Sequence, residues 1–210
     1  MMAYIYLHGF ASSPRSSKAN YLSDRFAEIG LKLQVLDLNQ GNFTRLTLTR
    51  QIAQTVAALP PPSIPVTLIG SSFGALTSAW VAQQFQVELV LLAPAFGFPQ
   101  SWYAKLEPAQ IEQWRRTRYL SVYHYGENKQ IPLHYQFLED ANNYPIFGLK
   151  RSCPTLIIHG VNDEIVPIQV SRDYANRHSQ VKLIELDSDH GLNDKQDSIW
   201  QLTQDFLNLS

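Results

Sequence analysis

The chain predicts an α/β fold, a mostly parallel sheet of about six strands flanked by helices and carrying one insertion. Three observations lead there. Short apolar runs alternate with helix-like segments along most of the sequence. The runs are nearly continuous in Val, Ile and Leu, as strands are when both faces are covered. The rhythm breaks only between residues 96 and 150, so the chain reads as a single domain over 1–210. Its core is 1–95 and 151–210, and the insertion forms a cap or lid.

Taken in order, Tyr4–Leu7 is the first strand, and a helical pattern follows over about Ser16–Ile29, closed by Gly30. Leu31–Leu36 is the second strand, and Thr47–Leu59 is a helix stopped by Pro60, Pro61 and Pro62. Val66–Ile69 is a third strand, Ala75–Phe85 a helix and Val87–Leu92 a fourth strand. Within the insertion, Pro108–Arg118 has helical spacing. Tyr119–Tyr125 and Ile131–Phe137 read as strands joined through Gly126-Glu127-Asn128, with Pro132 confining the second to an edge. Thr155–His159 and Lys182–Leu186 complete the six, with helices over Ile168–His178 and Asp197–Leu209.

Composition narrows the function. The chain has 210 residues, 45% hydrophobic and 17% charged, with a formal net charge of -1. There is no basic excess to attract nucleic acid or an anionic membrane, so neither is an expected partner. The charge-free stretch from Gln51 to Val87 is interrupted by prolines and glycines, so it does not form one membrane helix. The lone Cys153 makes no internal disulfide and reads as a buried structural thiol. The N-terminus lacks the basic and long apolar segments of a signal peptide, and the expected location is cytoplasmic.

The chemistry gathers at strand ends. Gly70-Ser71-Ser72-Phe73-Gly74 is a G-x-S-x-G pattern between a strand and a helix, the setting of a nucleophile elbow. Ser72 is the candidate nucleophile. Its hydroxyl needs a base, and the base needs an orienting carboxylate, in chain order Ser, acid, His. Asp163, in the loop after Thr155–His159, is the candidate acid, with Glu164 second; Asp187 and Asp189 lie too close to the base in sequence. His190, in the loop after Lys182–Leu186, is the candidate base. His159 ends a strand and reads as a packed, hydrogen-bonded residue. The backbone N–H groups of Phe73 and Phe10 are the candidate oxyanion donors, with Ala11 an alternative to Phe10 and His8 a support for their loop. A histidine base must be neutral to accept a proton, so activity is expected to fall on acidification. The chemistry asks for no metal and no cofactor.

The opening residues Tyr6-Leu7-His8-Gly9-Phe10, with Ser12-Ser13-Pro14-Arg15-Ser16 and Lys18-Ala19, resemble the small bacterial esterases of the YqiA-like family. The elbow, His159-Gly160, Asp163, Val166-Pro167 and Asp189-His190 follow the wider α/β-hydrolase pattern. The resemblance covers about 1–95 and 151–210. It implies an α/β-hydrolase fold and esterase or thioesterase action on a small-molecule acyl substrate, without a cofactor. Phe73 and Ala75 stand where relatives often have Leu and Gly, and the insertion is longer than in short members, which bears on substrate preference and leaves the triad intact.

Half of the chain's aromatic residues fall in 96–150, among them Trp102, Tyr123 and Tyr125 as candidate substrate contacts. Such residues either line a pocket over Ser72 or supply the core that a small cap needs. Arg115, Arg116 and Arg118 read as a solvated helix face, with contact to an anionic substrate group the other reading. Peptidase or acyltransferase chemistry would use the same residues. A non-catalytic binding module on this fold would normally lack one of the three.

Overall fold

The computed structural model describes residues 2–209. Six strands form one sheet: β1 (Ala3–Leu7), β2 (Leu33–Leu36), β3 (Val66–Ser71), β4 (Glu88–Leu92), β7 (Thr155–Gly160) and β8 (Val181–Leu186). Their order is β2-β1-β3-β4-β7-β8, and every neighbouring pair is parallel. All strand C-termini therefore lie along one edge, where ligands meet open α/β sheets.

Successive side chains on the central strands enter two separate cores, which explains the unbroken apolar runs. Ile5, Leu7, Leu89, Leu91 and Ile157 face one side; Tyr4, Tyr6, Val90, Leu92 and Ile158 face the other. Helices α2 (Leu48–Ala57), α3 (Phe73–Val81) and α7 (Gln169–Arg177) cover the first face through Leu48, Leu76 and Tyr174. Helices α1 (Ser17–Glu28) and α8 (Gln196–Leu207) cover the second through Leu22, Phe26, Ile199 and Trp200. Helix α1 begins where the Ser16 hydroxyl accepts the Ala19 N–H, and it ends at Gly30 with φ of 73°. Among the described residues no helix is long and apolar enough to cross a membrane.

Between β4 and β7 the chain builds α4 (Gln100–Lys105), α5 (Pro108–Thr117), the antiparallel hairpin β5 (Tyr119–His124) and β6 (Lys129–His134), and α6 (Gln136–Ala141). Pro132 sits opposite Ser121 in a two-stranded sheet, where both strands are edges and a missing N–H is tolerated. The strand expected over Ile131–Phe137 instead ends at His134 and turns into α6. The spacing of Phe137, Leu138 and Ala141, all buried, is helical and wins over the two-residue alternation of Tyr135 and Phe137. Helix α4 escapes sequence reading because six residues hold too little periodicity.

Gly74 shows how tightly the centre is built. A Cβ there would collide with the Leu7 and His8 carbonyls, at 2.6 Å from the His8 oxygen, and backbone cannot yield as a side chain can. Gly74→Ala is expected to lower stability by about 3 kcal/mol, read as a shift in the urea midpoint at unchanged slope.

Candidate active site

Each central element ends by delivering one polar group to the same edge. Strand β3 passes into α3 through Ser72, whose backbone is forced to φ 54°, ψ −111°. A non-glycine residue in this region is strained by about 1–3 kcal/mol and persists only where its surroundings over-determine it. They do so here. The Ser72 N–H donates to the Leu92 carbonyl at 2.8 Å, and the Ser72 carbonyl accepts from Ala75, Leu76 and Ala95 at 3.1–3.2 Å. Close strand–helix contact completes the turn: a Cβ on Gly70 would lie 2.5 Å from the Ala75 Cα.

The loop after β8 brings in His190, and the loop after β7 brings in Asp163. The Ser72 hydroxyl lies 3.0 Å from His190 Nε2, and His190 Nδ1 lies 2.7 Å from Asp163 Oδ2. The residues are 118 and 27 positions apart in the chain, so only the fold unites them. A carboxylate opposite Nδ1 places the imidazole proton there, leaving Nε2 to accept the serine proton. The Asp163 side chain is fully buried and that of His190 is 23% exposed.

Asp163 has four protein donors. Its Oδ1 accepts the N–H groups of Ile165 and Val166 at 2.8 and 2.7 Å, and its Oδ2 accepts from His190 and from His159 Nε2 at 3.0 Å. Burial raises its pKa, but hydrogen bonds from His159, His190 and Val166 more than offset this. The carboxyl is held well below the usual carboxylate range. The sequence rivals are engaged elsewhere: Asp187 accepts from Asn162, and Asp189 caps its own turn through Gly191 and Leu192 N–H.

His159 has more than a packing role. It is completely buried, with Nδ1 2.7 Å from the Ser171 hydroxyl and Nε2 facing both Asp163 Oδ2 and the Val166 carbonyl at 3.0 Å. Two acceptors at Nε2 put the proton on that nitrogen, so in the neutral ring the Ser171 hydroxyl donates to Nδ1. His159 thus holds the same carboxylate oxygen that His190 uses. Its position at the end of a strand, four residues before Asp163, was the only sequence signal.

Phe10 and Phe73 flank Ser72 from the loop after β1 and from the first residue of α3. Neither backbone N–H has an acceptor among the described residues. His8, buried beneath that loop, accepts the Leu38 N–H at Nε2 (3.2 Å) and therefore donates from Nδ1 to the Gly9 carbonyl (2.9 Å). Burial lowers its pKa, as suits a neutral structural ring. The Ala11 carbonyl accepts the Tyr125 and Gly126 N–H groups at 2.8 and 3.4 Å, tying the hairpin turn to this loop.

The insertion's aromatics divide. Trp102 packs against Phe10, Phe98, Trp114 and Phe137 with ring centroids 5.1–6.0 Å apart, so it joins the core on the first face of the sheet and does not line the cavity that contains Ser72. Tyr123 is 42% exposed and stands outside the cavity, beside Asn128. Of the three expected substrate contacts, Tyr125 alone lines it. Arg115 and Arg118 pair with Glu112 and Glu139 on exposed surface, away from the site. Among the described residues no group of three His, Cys, Asp or Glu side chains is placed to hold a metal ion.

Residues 3–207 match the sequence family described as "Uncharacterised protein family (UPF0227)". The chain belongs to that family. This agrees with the YqiA-like resemblance of its opening residues. No curated protein matches this UPF0227 member. Its fold is similar to alpha/beta hydrolase domain-containing protein 10 from mouse, at 22% identity and TM-score 0.81, over 98% of this chain and 89% of that one. It is similar to Est1E from Butyrivibrio proteoclasticus, whose structure has ferulic acid bound, at 19% identity and TM-score 0.83, over 99% and 88%. It is also similar to MGS-MChE2, an alpha/beta hydrolase enzyme from the metagenome of lagoon sediments at Mar Chica, Morocco, at 17% identity and TM-score 0.71, over 99% and 90%. The UPF0227 chain therefore has the α/β-hydrolase fold.

Proposed function

We propose that this UPF0227 member is a serine hydrolase that cleaves carboxylic esters or thioesters through an acyl-enzyme on Ser72. The observation that carries the reading is the bridge of one imidazole between a strained serine hydroxyl at 3.0 Å and a buried carboxylate at 2.7 Å. The likeness of its fold to that of Est1E supports it. The lone Cys153 supports a cytoplasmic setting.

In this mechanism His190 Nε2 takes the Ser72 proton as Oγ attacks the acyl carbonyl. The Phe10 and Phe73 N–H groups receive the oxyanion, and Asp163 stabilises the imidazolium. His190 then protonates the departing alcohol or thiol. A water enters, gives its proton to Nε2 and attacks the acyl-serine; collapse releases the acid and returns the proton to Ser72.

The test is a fluorophosphonate probe with a series of p-nitrophenyl esters of increasing chain length. Labelling of Ser72 with ester turnover is the expected result. Absence of both, in folded protein, overturns the proposal. A second prediction concerns His159. In this mechanism it is a positioning residue that acts through Asp163, so His159→Gln is expected to lower kcat about tenfold with little change in KM. A merely structural role would lower the urea midpoint and leave kcat of the folded fraction untouched.

A further inference from the structure

The cavity that contains Ser72 and His190 has a volume of ≈ 1310 Å³, and its walls are more polar than apolar, where an acyl-chain pocket would be mostly apolar. One wall is the segment from the β1 loop into the first turn of α1. It contributes Ser12, Ser13 and Ser17 and the two cationic residues Arg15 and Lys18 to the lining. Among the described residues no carboxylate lies within 4 Å of either cation.

Two of the other charges around the cavity pair with each other, and a third, Asp37, is held by backbone donors. Lys129 pairs with Glu127 at 2.8 Å. Asp37 accepts the Asn39 and Gln40 N–H groups and lies in the field of Arg50. Outside that pair the cavity walls carry two cations, Arg15 and Lys18, against the single carboxylate of Asp37, and Lys18 lies beside the base. The Lys18 ammonium donates to the carbonyl of Gly191, the residue after His190. That bond uses one of its three donors, and the other two have no acceptor among the described residues. Burial pushes the Lys18 ammonium down in pKa, with the Asp189 charge acting in the opposite sense. A half-buried cation with no carboxylate within ion-pair distance is a cost that an anion in the cavity would offset.

We propose that the ester accepted by this site bears an anionic oxygen group, a carboxylate or phosphate, seated by Arg15 and Lys18. This rests on the hydrolase reading and names its substrate class. Arg15, exposed at the mouth, meets the anion first; Lys18, deeper and held at the His190 loop, fixes its final position.

The test compares two esters with one leaving group, p-nitrophenyl hemiadipate and its neutral methyl ester, after subtraction of spontaneous hydrolysis. Wild type is expected to favour the hemiadipate in kcat/KM by about tenfold or more at low salt, declining as NaCl is raised. Arg15→Gln and Lys18→Gln are each expected to bring the ratio of the two rates down about fivefold. Because the readout is a ratio, a general loss of activity cancels. A wild-type ratio of one or below, or a ratio that neither variant moves, overturns the inference while ester turnover leaves the hydrolase reading standing. Binding of the same two compounds to Ser72→Ala, measured by calorimetry, needs no turnover. Tighter binding of the hemiadipate, weakened by Arg15→Gln, supports the anion site even if no ester is cleaved. Equal binding of the two compounds overturns it.

Discussion

Ser72→Ala is expected to abolish fluorophosphonate labelling and to lower kcat for a p-nitrophenyl ester by about 10⁴-fold or more. The substitution keeps the Cβ, so the backbone conformation and the four hydrogen bonds that hold residue 72 in place are retained. Stability should therefore stay within about 0.5 kcal/mol of wild type. Residual rate would come from the Phe10 and Phe73 N–H groups and from binding alone. Steady-state rates and intact-protein mass spectrometry after probe treatment check both parts. A variant that retains more than a tenth of wild-type rate would mean that another group attacks the substrate.

Asp163→Asn is expected to be nearly as damaging to rate, about 10³–10⁴-fold in kcat, and also to destabilise the fold. The reason is the complete set of donors around the carboxylate. One oxygen faces the Ile165 and Val166 N–H groups, and the other faces both imidazoles. An amide has only one acceptor oxygen, so either orientation turns an NH₂ toward two donors. A buried mismatch of this kind costs about 1–3 kcal/mol.

The pH dependence follows from the direction of the shift. A carboxyl held below its unfolded value stabilises the fold fully above about pH 4, and that contribution is lost as pH falls further. The stability gap between wild type and Asp163→Asn should thus be widest near neutrality and narrow below about pH 4. Urea titrations at pH 7 and pH 3.5 measure this. A gap that widens on acidification would contradict the ionised carboxylate.

The three residues of the bridge were legible in sequence because each follows an unmistakable strand: Ser72 after Val66–Ser71, Asp163 after Thr155–Gly160, His190 after Val181–Leu186. Parallel strands bring their ends to one edge, so order along the chain was enough to predict the meeting. His159 was not legible in its full role. A strand-terminal histidine pointing inward looks the same in sequence whether it meets a carbonyl or a carboxylate. The polar cavity wall was hidden for a similar reason. Ser12 and Ser13 read as loop and Ser16 and Ser17 as the start of a helical pattern, and in the structure Ser16 caps α1. Its neighbours, however, open into the site. The aromatics of the insertion read equally as pocket or core residues, and only packing distances assign Trp102 to the core on the first face of the sheet.

The hairpin turn and the loop that carries Phe10 share a single carbonyl acceptor at Ala11, and Asn39 adds a second stitch by donating to the Ser12 carbonyl at 2.7 Å while touching His124 on β5. Segments more than a hundred residues apart are thereby sewn into one piece. Exchanging the hairpin for that of a relative would disturb the Phe10 loop along with the cavity wall, so these two stretches must drift together in evolution and be transplanted together in engineering.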